Sequence, residues 1–207
     1  MSSEVAFAIS EKIDQVKNGL LGLENTSLFE CDFNTLHSST EKRFEAFNIE
    51  FDQIVGFYVK NGTVSEDYGQ SQNIEGITNF YTVGENVKSA IFVLLPDKKN
   101  PEELICQYIV ILHELGHVSD MEKKVNFISP DIEVNAVKAE GYAEVFTLKY
   151  LDRNKRDKID SLAKGLHADS IMSRAKINSF YMSVYLEVTK YFRTKRLKDW
   201  VRENIIG

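Results

Sequence analysis

Cysteine is almost absent from this chain: Cys31 and Cys106 are the only two in 207 residues, and no C-x-x-C pair occurs. A disulfide scaffold is therefore not indicated. Proline is scarce as well, with three residues, and no long Pro/Gly/Ser-rich linker divides a sequence that is 43% hydrophobic. One sizeable core is within its reach. No apolar run attains transmembrane length, and Met1-Ser2-Ser3-Glu4-Val5-Ala6-Phe7 lacks the basic start and long apolar stretch of a signal peptide. The expectation is a cytoplasmic protein without a membrane partner, although export by a signal-independent route would leave the same sequence. Positive charge is also short, with 25 Lys and Arg against 31 Asp and Glu and a net charge of -6. The one modest basic cluster, Arg193, Lys195, Arg196 and Lys198, reads as a solvated helix face, so nucleic acid is not expected as a main partner.

What is present is a change of period along the chain. Val5, Ile9, Ile13, Val16 and Leu20 recur at near-helical intervals, predicting an amphipathic packing helix over 3–21 that ends near 19–22. A shorter helix is expected over 40–48, capped by Ser39 or Thr40. The stretch 54–60 is β-branched and aromatic and stops at Asn61-Gly62, and 77–83 and 89–95 read as two further strands. The next helix has a marked start: Asn100 to cap, Pro101 at the first helical position, and Glu102 and Glu103 at the positive end of the dipole. Another begins at Ser129-Pro130-Asp131 and runs to about 150. Only 124–128 separates these two, which makes them neighbours of opposite sense. Further helices are expected over 156–166 and 168–204, with Phe180, Tyr181, Val184, Tyr185, Val188, Tyr191 and Phe192 as a core stripe. The resulting expectation is an α+β fold in a single domain, 1–207. It has a helical elaboration at 1–50, a small, mainly antiparallel sheet at 51–97, two helices at 98–152, and C-terminal helices at 153–207.

The first of the two central helices carries His113-Glu114-Leu115-Gly116-His117. Residues four apart on a helix lie about 40° apart on one face, so both imidazoles can meet one tetrahedral cation. Glu114, roughly 100° round from His113, can reach a water on that cation without being a ligand, as a general base requires. The helix is apolar almost all round from 104 to 112, the mark of an interior helix. Buried imidazoles and a buried carboxylate need partners, and a metal site supplies them together. Two imidazoles and a carboxylate favour zinc.

A catalytic zinc takes a third protein ligand. On the second helix Glu133, Glu140 and Glu144 fall within about 40° of one stripe, but Glu133 lies about 10 Å of helix rise from Glu140, too far to share one ion with it. Glu140 is assigned as the ligand, with an arrangement led by Glu133 as the alternative. Glu144, one turn on, is expected to accept a hydrogen bond from the far ring nitrogen of a ligand histidine and fix its tautomer. Asp120, three residues after His117, is either a second orienting group of this kind or an ordinary exposed aspartate. Cys106 sits about 10 Å before His113 along the same helix and is read as a small buried hydrophobe, not a ligand. For the oxyanion the candidates are His167, placed in a helix junction just after Gly165, and Tyr142, Tyr181 and Tyr185, of which Tyr142 is expected to point away.

With those residues the chain resembles the gluzincin metallopeptidases, whose signature is H-E-x-x-H with a downstream glutamate. Residues 113–120 and 140–146 are similar to two branches. One is the anthrax lethal factor-like catalytic domain, with an aspartate three after the second histidine and a Glu-x-x-Ala-Glu-x-Phe run. The other is the ImmA/IrrE group of small intracellular peptidases. The likeness spans about 104–150. It implies a zincin-like fold, a zinc ion on His113, His117 and Glu140, and Glu114 as the base in hydrolysis of a peptide or protein substrate. An extended substrate is expected to add to strand 89–95 as to a sheet edge. The chain departs from the lethal factor pattern in having no tyrosine shortly before Glu140. Two other readings stand beside this one: a zinc-binding regulatory or structural module without turnover, and a toxin-like effector peptidase with one narrow target. The oligomeric state is left open.

Overall fold

A computed structural model describes residues 3–20, 24–54, 75–123, 132–153 and 156–191. They build an α+β protein of two compact units, Met1–Val118 and Ser119–Gly207. Among the described residues no helix is long and apolar enough to cross a membrane.

The first unit opens with α1 (Ser3–Leu20), which buries Ile9, Ile13, Val16 and Leu20 as its spacing requires. The chain then forms β1 (Thr26–Cys31), α2 (Phe33–Leu36), α3 (Thr40–Ala46) and β2 (Gln53–Ile54). The Ser39 side chain caps α3 by accepting from Lys42 N. Then come β3 (Gly76–Val83), β4 (Asn86–Leu94) and α4 (Pro101–Lys123). Most of the strand expected at 54–60 lies outside the described residues.

The sheet order is β1-β4-β3-β2, with β1 parallel to β4 and the other two pairings antiparallel. Two expectations are corrected here. The 1–50 segment is not only helical but contributes a strand of its own, which adds one parallel pairing to a sheet otherwise antiparallel as expected. As a result β4 is an interior strand with β1 on one side and β3 on the other, so 89–95 is no edge to which a substrate can add. Its burial agrees: Ser89 to Val93 are buried in an unbroken run, as befits a strand covered on both faces.

Side chains alternate across the sheet. Cys31, Tyr81, Ala90 and Phe92 face one way and form a cluster with Leu36 of α2 and Phe44 of α3. Thr78, which lies opposite Ile91 in the register, faces the other way, and its hydroxyl meets Glu114 of α4.

The second unit contains α5 (Ile132–Asp152), α6 (Lys158–Ile177) and α7 (Ser179–Tyr191), packed around Val145, Leu148, Ala168, Ile171, Val184 and Val188. Helix α6 runs unbroken through Gly165 and His167, so no junction exists there. The break falls at Asn178, whose extended backbone ends α6 and whose Oδ1 accepts from Phe180 N at 2.8 Å. Helix α5 approaches α7 closely at Gly141, where a Cβ would sit 2.8 Å from the Cβ of Glu187. The connection 124–128, the start at 129–131 and everything after 191 lie outside the described residues.

Candidate metal centre

The N-terminal part of helix α4 is fixed at two points. Asn100 caps it as its sequence position predicts, Oδ1 accepting from Glu102 N at 3.0 Å while Nδ2 donates to Glu103 Oε1 at 2.9 Å. Two turns before His113, Gln107 Nε2 donates to Glu30 Oε1 at 2.9 Å and to the Leu94 carbonyl at 3.1 Å, tying the helix to β1 and β4. Glu30 also takes Lys17 Nζ at 2.7 Å. Burial alone would raise the Glu30 carboxyl, but the hydrogen bonds from Lys17 and Gln107 outweigh it and hold the group below the usual carboxylate range.

On that helix the Nε2 atoms of His113 and His117 lie 3.2 Å apart, with the rings nearly perpendicular at 84°. Two nitrogens each about 2.0–2.1 Å from a tetrahedral zinc are about 3.3 Å apart, so the pair fits such an ion. His117 is buried and His113 half-buried. Helix α4 continues into the second unit, where Ser119 Oγ and Lys123 Nζ each lie 3.3 Å from the Tyr142 hydroxyl of α5. Tyr142 is thus engaged with the end of α4, two residues on from Glu140. A ligand atom from each of His113, His117 and Glu140 lies within 4.8 Å of the others, a group that could hold a metal ion.

Glu114 is buried at 6% exposure, and its Oε2 accepts from the Thr78 hydroxyl at 2.6 Å. Gly76, two residues earlier on the same face of β3, leaves the room: a Cβ there would come within 3.0 Å of Glu114 Cγ and Oε1 and 2.5 Å of Val110 Cγ1. Neither β3 residue was among the expected site groups. Period-two alternation puts Gly76, Thr78 and Phe80 on one face, and a buried glutamate demands a donor. Those two signals together point to Thr78.

Glu144 has other company than expected. It is 1% exposed, with Oε2 2.7 Å from His167 Nε2 and Oε1 2.6 Å from Arg174 Nη2. His167 is accordingly a buried residue in the interior of α6, beside a carboxylate, and not at a helix junction. Burial works against the charge of Arg174, but Glu144 outweighs it, with Glu140 adding, and raises the guanidinium above its usual value. The Arg174 guanidinium covers the ring of Tyr181 at 4.9 Å. Burial pushes the Tyr181 phenol up, and the charge of Glu140 pushes in the same direction. Tyr185 packs against the α5–α6–α7 core. No sequence signal marked Arg174, a single arginine in a mixed helix.

Asp120 is buried, which removes the reading of an ordinary exposed aspartate. Cys106 is exposed, against the expectation of a buried hydrophobe. Leu104, Ile105, Gln107, Tyr108, Ile111 and Leu112 form the inward face of α4, and Cys106 falls on the outward side with Glu102 and Glu103. The helix is therefore buried on one broad face and not all round. The side chain of Glu133 lies outside the described residues. The chain matches no protein-family model, no curated protein and no solved structure.

Proposed function

We propose that the chain is a zinc-dependent peptidase of zincin-like organisation, acting on a peptide or protein substrate, with His113, His117 and Glu140 as metal ligands and Glu114 as general base. The observation that carries this reading is the pair of Nε2 atoms 3.2 Å apart on one helix, with the buried carboxylate of Glu114 between them in sequence. Zinc, if held by those three side chains, would supply a Lewis acid able to polarise a carbonyl and to lower the pKa of water to about 7. Glu114 takes the proton of the attacking water and passes it to the leaving amine. Of the oxyanion candidates Tyr181 is preferred to His167, because His167 Nε2 is held against Glu144 while Glu140 and Arg174 bear directly on Tyr181.

The test is metal content and cleavage in parallel. Elemental analysis is expected to give one equivalent of zinc for the purified chain and none for His113→Ala. Glu114→Gln is expected to keep its zinc and lose cleavage of a fluorogenic peptide library. Undiminished cleavage by Glu114→Gln refutes the base assignment, and a chain that takes up no divalent metal refutes the whole reading.

A further inference from the structure

We propose that Thr78 is the positioning residue for Glu114, and that Gly76 is the position on β3 that lets the two groups meet. The inference rests on the metal reading above and adds a part that the H-E-x-x-H stretch does not contain. A glutamate side chain has three rotatable bonds, and a base that must take a proton from one atom and deliver it to another loses efficiency when its carboxylate is free to turn. Here the carboxylate is pinned from β3, outside its own helix. The Thr78 hydroxyl, itself 3% exposed, donates to Oε2 at 2.6 Å. It also lies 3.4 Å from the Glu114 carbonyl oxygen, so side chain and backbone of Glu114 share one donor.

The other carboxylate oxygen, Oε1, lies where a Gly76 Cβ would be 3.0 Å away. A methyl group at Gly76 would also press on Val110 Cγ1 at 2.5 Å, so an added side chain must displace α4, the Glu114 carboxylate, or both. With Oε2 committed to Thr78, Oε1 is the atom left to carry the proton. The Thr78 hydroxyl keeps its own proton throughout and acts only by holding the carboxylate in one orientation.

The experiment uses the full chain loaded with Co2+, whose visible absorption reports ligands added to the metal, and acetohydroxamate as the probe. Acetohydroxamate chelates a divalent ion through two oxygens and passes its O–H proton to a neighbouring base, so its affinity depends on where Glu114 is held without requiring a substrate. Thr78→Val is expected to retain one cobalt per chain and to bind acetohydroxamate about tenfold more weakly, the worth of one charge-assisted hydrogen bond. Thr78→Ser keeps the donor and is expected to bind as the parent chain does. Gly76→Ala is expected to show the same weakening as Thr78→Val, which keeps the inference testable if the valine variant folds poorly. Glu114→Gln sets the scale, with the largest loss.

Parent-like affinity in Thr78→Val or Gly76→Ala, alongside a weakened Glu114→Gln, overturns the role of β3 and leaves the base assignment standing. Parent-like affinity in Glu114→Gln overturns the base assignment, and with it this inference. Failure of the parent chain to bind cobalt overturns the metal reading and everything built on it.

Discussion

Glu144 and His167 face each other inside the second unit, Oε2 to Nε2 at 2.7 Å, with both side chains almost fully buried. Glu140, one turn earlier on the same helix, is half-buried and belongs to the possible metal group. Two glutamates four residues apart therefore do different things. One joins α5 to α6 through His167 and Arg174, and the other is a member of the possible metal group with His113 and His117.

Their variants should separate accordingly. Removing a buried carboxylate that accepts a charge-assisted hydrogen bond costs about 1.5–3 kcal/mol. The hydrogen bond from Arg174, whose side chain is 31% exposed, and the contact with His167 are both lost in Glu144→Ala. Its thermal midpoint, followed by circular dichroism on metal-free protein, is expected to fall by roughly 6 °C for a chain of this size. Glu140→Ala is expected to move the metal-free midpoint much less while abolishing stoichiometric metal uptake. Equal midpoints for the two variants would contradict the division of roles.

Gly141 tests the packing of α5 on α7. Alanine is favoured over glycine inside a helix by about 1 kcal/mol. Against that gain, the new Cβ would meet the Cβ of Glu187 at 2.8 Å, an atom next to the backbone that cannot swing aside. Overpacking of this kind costs about 1–3 kcal/mol, so the clash outweighs the propensity gain. Gly141→Ala is expected to lower the urea midpoint by an amount equivalent to about 1 kcal/mol, with an unchanged slope. Gly165→Ala, where nothing lies within 4 Å, should raise it. A rise in both would mean that the two helices separate freely.

The contrast between those two glycines also explains what could be read in the sequence. Gly165 looked like a helix break, yet a lone glycine with open space around it costs only a fraction of what a 20-residue helix gains from its packed face. The break went instead to Asn178, whose side chain can cap. Elements announced by local chemistry were legible: the stripe of α1, the Ser39 cap of α3, the Asn100 and Pro101 start of α4, and the strand patterns of β3 and β4. Strand β1 was not, because its six residues pair in parallel with a segment more than fifty positions away, and no local signal carries that information. Missing it made β4 look like an edge. The same holds at the site. His113, Glu114 and His117 are neighbours on one helix and legible at once, whereas Thr78 and Arg174 reach Glu114 and Glu144 across 36 and 30 positions as single polar residues.

Glu30 predicts how acid acts on the first unit. Its folded carboxyl lies below the unfolded value, so its contribution is fully present above the unfolded value and is lost as pH falls through the lowered, folded one. The pair with Lys17 is about one-quarter exposed on each side, which limits its worth to about 1 kcal/mol. Glu30→Gln is expected to be less stable than the parent at neutral pH by up to that amount, and the two curves should converge as pH drops below the carboxylate range. Denaturant midpoints taken between neutral pH and about pH 3 check this. A difference that grows toward acid would reverse the sign and exclude the pairing with Lys17 and Gln107 as its cause.

Metal binding itself should be visible as stability. A ligand that binds only the folded chain stabilises it by RT ln(1 + [L]/Kd), about 2.7 kcal/mol at a hundredfold excess over Kd. The three candidate ligands come from two separate helices, α4 and α5, and an unfolded chain does not hold them together. Zinc is therefore expected to raise the thermal midpoint of the parent chain by several degrees, and a chelator to reverse the rise. The rise should vanish in His113→Ala, His117→Ala and Glu140→Ala, and persist in Glu114→Gln, whose side chain contacts Thr78 and falls outside the possible metal group. A zinc-dependent rise in the Glu140→Ala variant as large as in the parent would assign the third ligand elsewhere. Loss of the rise in Glu114→Gln would turn that residue from a base into a ligand.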